Sequence, residues 1–209
     1  MSEHLPQWLA WAREIQALAQ NGLTYSGNSF DFQRYLRLEQ IAAEIIANHS
    51  TLDPAGVWKS FQNQPGYATP KVDVRAAVIK DGKVLLVQER SDGKWCLPGG
   101  WADVGEAPSE AAQREAWEES GFEVQVERLI AVYDANRIPG AELELYHAYK
   151  LIFLCQVSGG EASPSDETLA VDFFDRDHLP PLSTFRTSEA MLEEVFSQFT
   201  DPGRATAFD

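Results

Sequence analysis

Three glutamates, Glu115, Glu118 and Glu119, stand at positions i, i+3 and i+4. On an α-helix they fall within about 100° of arc. Carboxylates placed so closely repel one another. A hard divalent cation resolves the conflict, because Mg2+ takes oxygen ligands and keeps room for waters and substrate phosphates. Arg114 adjoins the triad, and Glu106 precedes Arg114 by eight residues. A glycine-rich loop at 98–105 comes just before, and its glycines let main-chain groups approach an ion or a diphosphate closely. Two adjacent glutamates alone describe a solvated helix face. The loop, the single glutamate and the arginine at fixed distances turn the reading to metal-assisted chemistry on phosphates. Residues 100–122 hold six acids and one base, so a third of the formal net charge of −15 lies in this short stretch.

The elements around it must hold that stretch in place. Residues 1–66 read as helical. Trp8, Trp11, Ile15 and Leu18 repeat at helical spacing until Asn21-Gly22, a predicted stop. A second helix is expected over about 31–48, with Tyr35, Leu38, Ile41 and Ile45 on its stripe, and a third over about 53–62. From Val72 the pattern becomes strand-like. Residues 72–79 and 83–87 form a hairpin around Asp81-Gly82. Pro108 suits the first turn of a helix running to about Ser120, and Gly121 suits its stop. Strands are expected near 123–134, 145–157 and 170–175, a helix near 187–199, and a frayed tail from Pro202. The chain therefore divides into a helical region at 1–66 and an α+β region with a mixed sheet at 67–209.

Composition limits the function. The 209 residues include 17 Lys+Arg against 32 Asp+Glu, a balance that excludes a general binder of nucleic-acid polymers or anionic membranes. No apolar run approaches the ~20 residues that cross a bilayer. The first residues, broken by Glu3, His4, Arg13 and Glu14, do not read as a secretory signal. Two cysteines, Cys96 and Cys155, make no disulfide scaffold and read as buried small hydrophobes, so a reducing cytoplasm is the expected compartment.

The stretch from Gly100 to Phe122 resembles the Nudix box, Gly-x5-Glu-x7-Arg-Glu-U-x-Glu-Glu-x-Gly-U, where U is a bulky apolar residue. Gly100, Glu106, Arg114, Glu115, Glu118, Glu119, Gly121 and Phe122 meet its positions, while Ala116 is smaller than the usual aliphatic and Phe122 is aromatic. Gly22-Leu-Thr-Tyr-Ser, Phe30-Asp31, Arg34-Tyr35 and the run from Gly66 to Ala77 are similar to the Nudix branch with a helical N-terminal region. That branch includes CDP-choline pyrophosphatases and proteins labelled ADP-ribose pyrophosphatase. The resemblance implies an α/β/α sandwich and dependence on Mg2+ or Mn2+. It also implies hydrolysis of a nucleoside diphosphate linked to a second group X, giving NMP and phospho-X. Sanitation of nucleoside triphosphates is the alternative activity, and a non-catalytic nucleotide sensor the alternative class.

By the same resemblance Glu115, Glu118 and Glu119 ligate the metal with the carbonyl of Gly99, Arg114 orients a box glutamate, and Glu106 braces the loop. The general base is a box glutamate or a downstream acid, with Glu167 first and Glu142 and Glu144 next. Arg75, Arg90 and Arg137 are the candidates for the substrate's phosphates. His147 reads as structural, and Trp95 is expected beneath the loop. The apolar and aromatic stripes of residues 1–66 exceed what three short helices bury, so a homodimer is expected, with coverage of one sheet face within the same chain, or substrate support, as the alternative.

Overall fold

The computed structural model describes residues 6–141 and 146–209. They form two compact units, one ending at Pro70 and the other running Lys71–Asp209.

The first unit contains α1 (Gln7–Tyr25), α2 (Ser29–Asn48) and α3 (Pro54–Gln62). The stop predicted at Asn21-Gly22 does not occur, and α1 continues to Tyr25. Gly22 is there for proximity. A Cβ at this position would lie 2.4 Å from the ring of Tyr35, so the missing side chain lets α2 approach α1. Asn21 is equally occupied, its Oδ1 accepting from the amide of Ala68 at 2.8 Å. Asn28 caps α2 by accepting from the amide of Asp31, and Asp53 caps α3 by accepting from that of Gly56, with Pro54 at the first helical position. Trp58 Nε1 donates to Glu39 Oε2 at 2.9 Å and ties α3 to α2. Glu39 is buried, and that burial pushes its carboxyl above the usual range. The intrachain core uses Leu9, Ala12, Ala19, Ala42, Ala43 and Ile46, whereas Trp11, Leu18 and Leu38 of the predicted stripes stay exposed.

The second unit contains β1 (Lys71–Lys80), β2 (Lys83–Glu89), β3 (Trp95–Cys96), α4 (Pro108–Ser120), β4 (Phe122–Asp134), β5 (Ala148–Gly160), β6 (Thr168–Phe174), α5 (Glu189–Thr200) and β7 (Ala207–Phe208). The sheet order is β3-β2-β1-β5-β4-β7, with β6 also on β2. β1 runs parallel to β5 over residues 71–78, which makes the sheet mixed. Residues on β1 alternate between two cores. Val74, Ala76 and Val78 meet Ala111, Ala112 and Ala116 of α4. Ala77 and Ile79 face the cluster that holds Met191, Leu192, Val195 and Phe196 of α5. The unit is thus an α/β/α sandwich. Ala116 and Phe122, the two unusual box residues, are both buried in the α4-side core.

One irregularity positions the site. β2 pairs with β1 only at the hairpin tip, Ile79 opposite Val84 and Lys80 opposite Lys83. Beyond the tip β1 bonds to the glycine loop instead. Val74 N donates to Gly100 O at 2.8 Å, Ala76 N to Pro98 O at 2.9 Å, and Ala102 N to Val72 O at 3.0 Å. The loop is therefore held by a central strand, as a short strand would be.

The tail corrects another expectation. β7 pairs in parallel with Ala131 and Val132 of β4, Asp209 Oδ2 accepts from Asp134 N, and Arg204 pairs with Glu194. Among the described residues no helix is long and apolar enough to cross a membrane.

Candidate active site

Pro108 opens α4 and Gly121, at φ +75°, closes it, so the box glutamates occupy a helix of fixed register. Glu119 lies near its C-terminal end and is 6% exposed. Its Oε2 accepts from the amide of Gly99 at 2.9 Å, which joins helix and loop. Burial pushes its carboxyl up to about 7, against the opposing pull of Arg75. Glu115 is raised by burial too, with Arg114 working against that rise.

Arg114 is the hub of the acidic cluster. It forks onto Glu106, with Nε to Oε1 at 2.8 Å and an Nη2 donor to Oε2 at 2.9 Å. Its Nη1 donates to Glu115 Oε1 and to Glu118 Oε2, each at 2.9 Å. These charge-assisted bonds hold the Glu106 carboxyl below its usual range and raise the guanidinium. One arginine thus spaces three carboxylates.

The donor set fits a hard cation. Among the described residues, Arg114 and Gly99 engage one oxygen each of Glu115, Glu118 and Glu119, leaving Glu115 Oε2, Glu118 Oε1 and Glu119 Oε1 for another ligand. A Cβ built on Gly100 would come within 3.0 Å of Glu115 Oε1, so the glycine keeps the space beside that carboxylate open. All these donors are oxygens, the ligands of Mg2+ and Mn2+. Among the described residues no three acids already surround one point. Glu115 and Glu118 share Arg114 between them.

A cavity of about 330 Å³ opens beside this cluster. Arg75, Gly99, Arg114, Glu115, Glu119 and Glu167 line it, and Glu118 borders it through Arg114. Arg75 belongs to the wall and is only 3% exposed. It forks onto Asp73 at 2.7 and 2.8 Å and donates to Leu97 O at 3.2 Å, while Lys150 Nζ reaches Asp73 Oδ2 at 3.3 Å. The two cations hold the Asp73 carboxyl below its usual range despite burial.

Arg90 and Arg137 stand outside the lining. Arg90 donates to the carbonyls of Asp166 at 2.8 Å and Thr168 at 3.3 Å, and its amide donates to Glu167 O. It shapes the loop that carries Glu167. Thr168 Oγ1 donates to Glu119 O at 2.9 Å, fastening this loop to the end of α4. Arg137 is exposed and lies 3.6 Å from Asp134. Glu142 and Glu144 lie outside the described residues. His147 is 3.5 Å from Asp134 and sits edge-on to Tyr149. Cys96 and Cys155 are buried free thiols, as expected.

Six lining residues were not among the candidates from the sequence: Asp73, Glu89, Trp101, Asp103, Phe185 and Arg186. Asp73 and Arg75 had a signal, since opposite charges two apart in an apolar strand share one face. Arg186 had none. It reaches the site through Glu89, 3.1 Å away, almost a hundred residues earlier in the chain.

The family model for the NUDIX domain matches residues 69–195. The chain belongs to the Nudix family. A second model, described as a UDP-X-like, N-terminal oligomerisation domain, matches residues 6–61 of this Nudix chain. The chain is 37% identical over 203 residues to the putative ADP-ribose pyrophosphatase YjhB of Bacillus subtilis (strain 168), covering 97% of each. A crystal structure of a UDP-X diphosphatase is 33% identical at a TM-score of 0.63, covering 97% of this chain and 98% of that one. An ADP-ribose pyrophosphatase structure from Streptococcus suis 89-1591 is 37% identical at a TM-score of 0.62, covering 68% of this chain and all of the other. With its box intact, this protein is a Nudix pyrophosphohydrolase.

Proposed function

We propose that this Nudix hydrolase cleaves the diphosphate of nucleoside diphosphates linked to another group X, with Mg2+ or Mn2+ as cofactor, releasing NMP and phospho-X. The observation that carries this reading is end-to-end similarity, through both units, to proteins named ADP-ribose pyrophosphatase and UDP-X diphosphatase. Glu115, Glu118 and Glu119, with the Gly99 carbonyl, would hold the cation, which would supply charge neutralisation on the diphosphate and help activate water. Arg114 spaces Glu115 and Glu118, the Gly99 amide holds Glu119, and Glu106 holds Arg114. Arg75 contributes the field of a buried positive charge behind Glu119, and Arg90 acts through the loop that presents Glu167. Arg137 stands beyond the wall.

Glu167 is the proposed general base, since it lines the cavity with the box glutamates and its carboxylate can take the proton of an attacking water. Glu167→Gln is expected to lower kcat by roughly 10²-fold or more and to change the pH–rate profile. An unchanged rate and profile would transfer the role to a box glutamate.

The activity itself is tested with purified protein, Mg2+ or Mn2+, and a panel of ADP-ribose, UDP-sugars, CDP-choline and nucleoside triphosphates. A kcat/KM for triphosphates above that for every NDP-X compound would replace this reading with triphosphate sanitation.

The helical unit is proposed to form a homodimer. Trp11, Leu18 and Tyr25 are 56%, 59% and 72% exposed and recur at seven-residue spacing on one face of α1. A second copy of the chain would cover such a stripe. Light scattering is expected to give about twice 23.3 kDa. A fully active monomer at tens of micromolar would refute the dimer.

A further inference from the structure

Two aromatic rings share the cavity with the carboxylates, one at an unspecified position of the box and one far downstream of it. Trp101 and Phe185 both line it, 44% and 38% exposed. Apolar rings left open to water inside a polar pocket mark a surface that a ligand covers.

Both rings are carried on rigid backbone. Trp101 forms an antiparallel bridge with Asp73, flanked by the bonds from Val74 N to Gly100 O and from Ala102 N to Val72 O. Phe185 projects from a turn in which the amides of Arg186 and Thr187 both donate to Ser183 O at 2.8 Å. That turn is fastened to the strand leading into the glycine loop. Ser183 N donates to Trp95 O, and Leu97 N donates to Thr187 Oγ1 at 2.9 Å. Ser183, Thr187 and Ser188 are buried, while Phe185 between them is not. The fold thus anchors the turn by its hydroxyls and leaves the ring free. The guanidinium of Arg186 stands 5.8 Å from the Phe185 ring, held in place by Glu89 at 3.1 Å. Lys71 Nζ stands 5.7 Å from the Trp101 ring. Cations against the rings restrict their orientation.

We propose that Trp101 and Phe185 form the nucleobase subsite of this enzyme, stacking the base while the diphosphate lies against the carboxylates. This deepens the NDP-X reading and rests on it for the second half of the substrate. The stacking uses a π-face that every base possesses, so the subsite recognises a base as a class. A cavity of about 330 Å³ lies at the lower end of ligand-pocket sizes, enough for a base and its first phosphate.

The test reads binding without turnover. Titration of the full chain with AMP and UMP in Mg2+ should quench tryptophan fluorescence, and ribose 5-phosphate should not. The protein has six tryptophans, so Trp101→Phe assigns the signal. It should abolish the quench while calorimetric affinity is largely kept. Phe185→Leu should weaken AMP and UMP binding roughly tenfold, and Phe185→Tyr should restore it. Both positions are exposed, so thermal midpoints should stay near wild type. A quench by ribose 5-phosphate equal to that by AMP, a quench surviving Trp101→Phe, or equal affinities for Phe185→Leu and wild type would overturn the subsite. If wild type cleaves no NDP-X compound yet shows the Trp101-dependent quench, the activity reading fails and the subsite stands.

Discussion

Glu119→Gln is expected to lower kcat by on the order of 10²-fold or more while the thermal midpoint of the metal-free protein stays level or rises. The two readouts move apart for one reason. Glu119 is buried, and its burial holds the carboxyl up to about 7, so the ionised form is costly in the folded chain. Glutamine removes that cost and keeps an acceptor for the amide of Gly99. It also removes the charge that a divalent ion needs. A group that costs stability and supports turnover is the mark of a functional residue. Glu118→Gln is expected to lose turnover similarly. It should leave the midpoint nearly unchanged, because its side chain is half exposed and gives up only one bond to Arg114. Circular dichroism checks the fold, and a rate series in Mg2+ checks the metal. Retention of most activity at saturating Mg2+ in both variants would remove these residues from the site.

The contrast between Glu119 and Arg186 shows what the sequence makes legible. Glu115, Glu118 and Glu119 are related by helical spacing alone, so a periodic reading places them together before any tertiary contact is known. Pro108 and Gly121 bound that helix through local backbone preferences, and both boundaries appear in the structure. The hairpin at Asp81-Gly82 and the alternation along β1 are equally local. Arg186, Phe185 and Glu89 meet only because the sheet and α5 bring distant segments together, and no spacing rule reaches that far. The glycines divide in the same way. Gly121 was legible as a helix stop from its neighbours. Gly22 looked the same and is different, because its reason is the ring of Tyr35 on another helix. The arginines were legible by type alone, without their partners. A positive side chain near the box suggests a phosphate ligand, but Arg90 faces loop carbonyls and Arg75 is locked by Asp73. The tail from Pro202 carries no strand pattern of its own. Its two paired residues are ordered by the edge of β4.

Gly99→Ala is expected to damage both stability and activity. Two penalties coincide there. Gly99 has φ +147°, a conformation that strains any residue with a Cβ. A Cβ at that position would also lie 2.0 Å from the carbonyl oxygen of Val74 and 2.9 Å from the Cα of Arg75. Both obstacles are backbone atoms of the central strand, so no rotamer change relieves the clash. The loop must move away from β1. That movement strains the bonds from Val74 N to Gly100 O and from Ala76 N to Pro98 O, together with the one from Gly99 N to Glu119 Oε2. A cost of roughly 3 kcal/mol or more follows from strain and lost pairing, which lowers the midpoint of a domain this size by about 6–12 °C. Activity should fall further than stability, because the displaced segment carries the Gly99 carbonyl and the backbone of Trp101. Gly105→Ala is the control. It too has positive φ, at +102°, but a Cβ there meets nothing within 4 Å. It should show only the conformational penalty of about 1 kcal/mol. Equal midpoints and equal rates for the two variants would show that β1 does not hold the glycine loop as a strand, and with it the basis for the positions of Gly99 and Trp101 would be lost.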